Sequence, residues 1–392
     1  MSSPKVLDQS KNVYSAIWHG DIGEIDRTQW NRLAIPMKNP FLEWEWFYML
    51  EFSKSICPAR GWYPCHLTLF ENNQLIAAAP LYIKTNSDGE YVFDTDWVNV
   101  AKQMDTPYYP KMVGMTPITP VPGYRFLVDR QYNEILVSHM LVNLITQYCK
   151  QKKIAGCHFL YVDSKWVSVM HHMRFVPWNH YTFQWHNRNY KSFDDFLQTL
   201  KASHRRNIKK EINALNKQNI HIKIHENDNI PKRYYSKMAK FYKNTGKKYD
   251  PEAESYFKPD FFECLSQYYS HRSMFIGAYA NDKPDDPLAL AYLTTKGRFL
   301  SGRYWGTDFD VPFLHFNVCY YSAIQWAIEN NIRIFDPGVG GDHKLKRGFP
   351  ARSVESLHFY FDWRLQFFLV RHIDGINKLE QEEINIINRN LK

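Results

Sequence analysis

A chain of 392 residues is longer than one hydrophobic core normally supports, so two domains are expected, and 44% hydrophobic and 16% aromatic residues give each a core and aromatic-lined clefts. A formal charge of +9 predicts attraction to polyanions such as RNA, nucleotide-bearing substrates or an anionic membrane face, although a bacterial-looking, Lys- and Asn-rich protein can be basic and bind none of them. No apolar run approaches the roughly 20 residues of a spanning helix, the opening MSSPKVLDQSKN lacks a signal-peptide core, and six scattered cysteines (Cys57, Cys65, Cys149, Cys157, Cys264, Cys319) form no C-x-x-C pair; a cytoplasmic protein with reduced thiols and no transmembrane segment is expected.

In chain order, the stretch NPFLEWEWFYMLEFSKSI reads as an amphipathic helix. YPCHLTLF and LIAAAPLYIK, parted by Glu71-Asn72-Asn73, read as a hairpin. A long Pro/Tyr/Gly-rich loop, the helix NEILVSHMLVNLITQYCKQKK and the strand CHFLYVD follow, and HYTFQWHN closes the first lobe. The second lobe opens with a helix over SFDDFLQTLKASHRRNIKKEINALNKQ, capped by Ser192 and favoured by Asp194 and Asp195 in its first turn. The strands SMFIGAYA, PLALAYLTT and RFLSGRYWG come next, then the helix FLHFNVCYYSAIQWAIENN, the strand IRIFDPG, a Gly-rich basic loop and the strand VESLHFYFD. Residues 364–392 read as a long terminal helix able to pack back on the first lobe. The same element order thus occurs twice, over 1–188 and 189–392, and implies an α/β (α+β) protein of two tandem lobes, each a mixed, mostly antiparallel sheet flanked by helices.

The strings NPFLEWEWFYMLE, PLYIKTNSDGEYVFDTDWV, YYPKMVGMTPITPVPGYR, SFDDFL, SGRYWG, HFNVCYY and FDPGVGGDHKLKRGF, in this order from about Asn39 to Phe361, resemble the FemAB-like acyltransferases of the peptidoglycan biosynthesis or recognition type. The resemblance implies two GNAT-like lobes and transfer of an activated acyl group to an amine, the first lobe binding the acceptor and the second the donor. Two departures stand out. Asn317 occupies a helix position where the family often has an acid, and the loop GTDFDVPF lacks the Q/R-x-x-G-x-G/A cradle for a pyrophosphate, with Asp308 and Asp310 placed to repel one.

Acyl transfer to an amine needs alignment, a neutral nucleophile and a group that polarises the carbonyl, without a covalent enzyme intermediate; G-x-S-x-G is absent and no Cys/His motif stands out. In DPGVGGDHKLKRGF a strand ending at Asp336 runs into Gly338, Gly340 and Gly341 and then His343, Lys344, Lys346 and Arg347. The resemblance implies that Lys346 stabilises the acyl carbonyl or binds a terminal phosphate, with His343, Lys344, Arg347, Gly340, Gly341 and Asp336 around the donor; the alternative is a solvated loop with turn glycines. In Gly302-Arg303-Tyr304-Trp305-Gly306, alternation sets Arg303 and Trp305 on one face and Tyr304 on the other, so a bulge is required for one pocket to use all three. Arg303 serves there as an anion contact or, equally, as a structural partner of Asp336. His315 and Cys319 share a helix face, with His315 a base or amine-orienting group, or a structural residue.

In the first lobe, Glu90, Asp94, Asp96, Tyr109, Lys111 and Arg125 are candidate acceptor contacts, Lys111 and Arg125 meeting an anionic group, unless these charges pair with each other to pin the loop. Lys201, His204, Arg205, Arg206, Lys209 and Lys210 form a basic stripe fit for an RNA backbone, or a solvated face balanced by Glu211 and the acidic first turn. No metal motif is present and no tightly bound cofactor is expected; the donor cosubstrate is aminoacyl-tRNA or acyl-CoA, the former favoured by basicity and the missing cradle, and the acceptor is a small-molecule or peptide amine. The rival readings are a non-enzymatic cell-wall-precursor or RNA-binding protein, and a CoA-thioester-dependent N-acetyltransferase.

Overall fold

The structure is a computed structural model that describes residues 14–249, 255–389 and 391, so the polar opening segment lies outside the described residues. The chain runs through β1 (Tyr14–His19), α1 (Arg27–Ala34), α2 (Trp44–Phe52), β2 (Trp62–Pro64), β3 (His66–Glu71), β4 (Gln74–Ala79), β5 (Tyr82–Lys84), α3 (Thr95–Gln103), β6 (Lys111–Gly114), β7 (Leu127–Val128), α4 (Glu134–Gln151), β8 (Gly156–Phe159), α5 (Ser164–Met170) and β9 (Val176–Phe183). It continues with β10 (Trp185–His186), α6 (Phe193–Gln198), α7 (Ala202–Asn216), β11 (Ile220–Glu226), α8 (Arg233–Tyr249), α9 (Pro259–Tyr268), β12 (Ser273–Ala280), β13 (Ala289–Lys296), β14 (Phe299–Thr307), α10 (Leu314–Phe316), α11 (Ser322–Glu329) and β15 (Ile334–Asp336). β16 (Ala351–Tyr360) and α12 (Trp363–Arg389) complete it. No helix among the described residues is long and apolar enough to cross a membrane.

Two compact units result, one running to His180 and resuming over Ser353–Glu382, the other comprising Tyr181–Arg352 and the chain from Glu383. The division therefore differs from a cut at 188/189 into contiguous halves. Its physical cause is the pairing of β16 with β8, where Leu357 faces Phe159 and Tyr360 faces Gly156, and the apolar face of α12, whose Leu365, Leu369 and Ile373 pack with Trp97 and Ala101 of α3.

The first unit holds two sheets rather than one, ordered β1-β3-β4-β7 and β2-β5-β6-β8-β16-β9. The hairpin turn is as expected, Asn72 and Asn73 both adopting the left-handed conformation that suits a two-residue turn (φ 48 and 65). Beyond it the run LIAAAPLYIK breaks, because Pro80 cannot donate to a ladder, and β4 and β5 join different sheets. Within the second of these, His158 of β8 and His358 of β16 are cross-strand partners whose Nδ1 atoms lie 3.0 Å apart. Burial, and then the charge of Lys111, drives the pKa of His158 well below the ordinary value; burial, His158, His180 and Lys111 do the same to His358.

The second unit has one sheet, β10-β15-β14-β13-β12-β11, antiparallel except between β14 and β15. Ser192 caps α6 by accepting Asp195 N–H at 3.1 Å, but the single helix expected over 193–218 is broken into α6 and α7 near Lys201. α8 crosses β14 so closely that a Cβ on Gly306 would lie 2.4 Å from the carbonyl oxygen of Phe241.

Two outcomes follow from this architecture. Gly306→Ala should displace α8 and lower the unfolding free energy by about 1–3 kcal/mol, read as a shift in urea midpoint. The histidine pair stays neutral when folded and titrates normally when unfolded, so the unfolded state binds more protons and stability falls as pH drops below 6.5. His358→Phe should reduce the slope of unfolding free energy between pH 6 and 5 by about one proton, or ~1.4 kcal/mol per pH unit; an unchanged slope would show that the histidine is not held neutral.

Candidate functional site

The site is built at a fork in the second sheet. β15 pairs with β14 only where residues 334–336 face residues 299–301, since Pro337 offers no N–H and Gly338 turns the chain away at φ 86. Past Ser301 that edge of β14 has no strand beside it among the described residues. On the other edge, Tyr292 pairs with Tyr304 and Leu293 with Gly302, which leaves Arg303 as the extra residue of a β-bulge. The Tyr304 ring nevertheless packs away from His315, among Tyr242, Phe257, Phe261 and Phe262, while the Trp305 ring lies against His315. Residues 302–305 all border one pocket of ≈ 60 Å³, closed by His315, Cys319, Tyr320 and Pro337. A space several times the ~10–15 Å³ needed by one water suits the reacting end of a ligand rather than a whole nucleotide.

The opposite wall comes from the helix after β14. Phe313 enters it at φ 66, and residues Asn317–Tyr321 form a π-helical turn between α10 and α11. The wider turn lets Cys319 and Tyr320 both join His315 at the pocket while Tyr321 points to α7. Asn317 is structural here, its amide donating to the carbonyls of Phe313 at 3.0 Å and Glu211 at 3.2 Å. His315 lies against Trp305, ring centroids 4.4 Å apart, and burial, followed by the nearby His343, Lys344 and Arg347, pushes its pKa down to about 3. It is a neutral imidazole and a weak base, suited to hydrogen-bonding an amine. Burial pushes the Cys319 thiol up, so it lines the pocket as a thiol and is no activated nucleophile.

Most of the basic loop turns inward. Arg303 Nη2 meets Asp336 Oδ1 at 2.6 Å, both side chains buried, and the same oxygen accepts Gly338 N–H at 3.0 Å. Lys344 Nζ donates to the carbonyls of Gly338 at 2.6 Å and Val339 at 3.1 Å, and burial, with Arg303 adding to it against Asp336, brings its pKa to about 8. Gly340 and Gly341 adopt left-handed φ of 76 and 88, as turn residues. Arg347 donates to Tyr321 Oη at 2.8 Å, to the carbonyl of His343 at 2.9 Å and to both oxygens of Glu211. Thus Lys344, Arg347 and Asp336 are engaged in bonds within the protein and hold the loop. Lys346 is exposed and does not border the pocket, which removes the basis for having it polarise the acyl carbonyl. His343 is near, with Nε2 3.0 Å from the Tyr320 hydroxyl.

The stripe on α7 meets this loop. Lys201, Arg206, Lys209 and Lys210 are exposed and Arg205 half-buried. Lys209 pairs with Asp194 at 3.0 Å, whereas no carboxylate pairs with Arg205, Arg206 or Lys210 among the described residues. Burial lowers the pKa of His204, and Lys201, Lys346 and Arg347 lower it further; the Arg347–Glu211 pair sets α7 against the loop.

In the first unit the candidate acceptor charges pair with their neighbours. Lys111 is buried, with Nζ 2.8 Å from Glu90, 2.6 Å from Asp94 and 2.8 Å from Ser87 Oγ, so no anionic acceptor reaches it. Burial raises the Glu90 pKa, while for Asp94 burial is outweighed by Lys111 and by hydrogen bonds from Tyr108 and Ser87, which lower it. Tyr109 bonds Ser87 Oγ at 2.7 Å, and Arg125 is turned to Glu134. These charges pin the loop. Asp96 alone of this group is exposed. Sequence reasoning set Cys319 on the face of His315 but gave Tyr320 no role, and helical periodicity does not bring Tyr320 to that face because the π turn is a tertiary feature.

The sequence profile of the FemAB-like family, described by peptidoglycan biosynthesis and recognition, matches residues 21–392. No curated protein sequence matches the chain. Among solved structures, FemX superposes with a TM-score of 0.53 at 11% identity, covering 88% of this chain and 98% of its own. L-PGS from Bacillus licheniformis gives 0.50 at 10% identity, covering 86% and 98%. The C-terminal domain of a protein assigned as a lysylphosphatidylglycerol synthetase from Agrobacterium fabrum gives 0.51 at 9%, covering 89% and 96%. At these identities the likeness speaks for the fold, whereas the profile spans nearly the whole sequence: the chain belongs to the FemAB-like family.

Proposed function

We propose that this FemAB-like chain is an N-acyltransferase that moves an aminoacyl group from tRNA to an amine, with the chemistry in its second unit. The observation that carries the reading is the fork pocket beside the basic face: a small space for the acyl end and, in the same unit, exposed cations for a polyanionic carrier. The family's link to peptidoglycan supports a cell-wall-precursor peptide as the source of the acceptor amine. Two structural neighbours named L-PGS and lysylphosphatidylglycerol synthetase support joining of an amino acid to an acceptor on this fold. An acyl-CoA donor is disfavoured because the loop before α10 presents Asp308, held by Lys240 and Asn244 at 2.6 Å each, where a pyrophosphate would need bare N–H groups.

In the reaction the amine lone pair attacks the acyl carbonyl, the ester C–O bond to the carrier breaks, and the departing oxygen takes up the proton lost by nitrogen. Past Ser301, where pairing with β15 ends, the backbone of β14 borders the pocket and is assigned to the developing oxyanion. Neutral His315 orients the amine, and the Tyr320 hydroxyl, bonded to His343, relays the proton, giving its own to the leaving oxygen and taking the one lost by nitrogen. Lys344, Arg303 and Asp336 keep these groups in place.

Tyr320→Phe should lower kcat by about 10²-fold or more with tRNA affinity unchanged, measured as amide product by mass spectrometry with a charged tRNA pool and a precursor peptide bearing a free amine. Absence of product from the unaltered protein would instead favour a binding protein. Replacing Lys346 and Arg206 with alanine should weaken binding of unfractionated tRNA and reduce the slope of log affinity against log salt by about one per lost phosphate contact, read by fluorescence anisotropy between 50 and 200 mM salt. Tight binding of acetyl-CoA by calorimetry would overturn the choice of donor.

A further inference from the structure

The basic half of α7 carries a carboxylate turned away from solvent. Glu211, its side chain 13% exposed, accepts Arg347 Nη2 at 2.9 and 3.0 Å and also the hydroxyl of Tyr321. Arg347 Nε donates to that same hydroxyl at 2.8 Å, which closes a ring of three groups, and its guanidinium lies 3.4 Å from the centroid of Phe316. The main-chain carbonyl of Glu211 accepts the Asn317 amide at 3.2 Å. One residue of the basic helix is therefore bonded to the π turn through both its carboxylate and its main chain, and to the loop through Arg347. The path runs on to the pocket: Arg347 fixes the carbonyl of His343, whose ring is bonded to the pocket residue Tyr320.

We infer that Glu211, Arg347 and Tyr321 are positioning residues, a strut through which the basic face of α7 sets the place of Tyr320 and the closure of the pocket. This rests on the reading of that face as the carrier's grip. The charge arrangement gives the strut a second consequence. Glu211 holds the guanidinium inward, off the surface on which Lys346 is exposed; without that carboxylate, Arg347 is free to join it. Loss of pocket order and gain of a surface cation then occur together, so kcat and carrier affinity move in opposite directions, whereas simple destabilisation lowers both.

Two readouts test this on the full-length protein carrying Glu211→Gln. Alkylation of Cys319 by iodoacetamide, followed by peptide mass spectrometry, reports pocket closure without any substrate and should quicken on the order of threefold or more. Unfractionated tRNA should bind as well as before or more tightly, with a salt slope steeper by up to about one, while amide formation slows. Unchanged Cys319 alkylation in a variant that unfolds cooperatively would overturn the strut, as would kcat and affinity falling together. Should Glu211→Gln not fold, Tyr321→Phe removes a single hydroxyl and repeats the alkylation comparison. Failure of the unaltered protein to bind tRNA would overturn the carrier reading and with it the coupling, while the alkylation rates still decide whether these residues hold the pocket.

Discussion

Arg303 and Asp336 meet at 2.6 Å where two strands of the second sheet separate, and both are out of water. A buried ion pair contributes little net stability, but removing either member leaves a charge that costs about 3–5 kcal/mol. The pair therefore acts as a geometric constraint. It ties the bulged residue of β14 to the last residue of β15, so the bulge and the end of parallel pairing are held at one level. The pocket, the direction of the glycine loop and the position of the inward lysine all follow from that point.

The same desolvation cost sorts the basic residues. Arg303, Lys344, Arg347, Lys111 and Arg125 turn inward, and each meets a carboxylate or a set of carbonyls. Lys201, Arg206, Lys210 and Lys346 stay in water. A net charge of +9 is blind to this division. What is left outside, after the inward cations have been neutralised, is the part able to attract a polyanion, and in the second unit it includes Lys346 of the loop after β15.

In the first unit the Pro/Tyr-rich segment is pinned by its own charges, the second of the two readings its sequence allowed. Lys111 and its two carboxylates lie under Tyr108 and Tyr109, and the neighbouring histidine pair is kept neutral by the same burial. Such a cluster stiffens a long loop whose backbone would otherwise carry unmet polar groups.

Local pattern was enough for much of this protein. Period-two and period-3.6 runs marked the hairpin, α4, β12 to β14 and the long α12, and the ordered strings around SGRYWG and DHKLKRGF carried the family resemblance. β11 was legible too, since Ile220, Ile222 and Ile224 alternate with polar residues, but it went unread among charged neighbours. The sequence by itself determined an α/β protein with two cores, the elements that flank the site and the basic segments near it. Tertiary structure alone decided which cations are buried, that the last strand rejoins the first unit, and that Arg303 bulges while residues Asn317–Tyr321 widen into a π turn. The reason is range: periodicity records which face of an element is apolar, whereas a bulge, a π turn or a buried ion pair is stable only when a partner distant in sequence arrives to satisfy it.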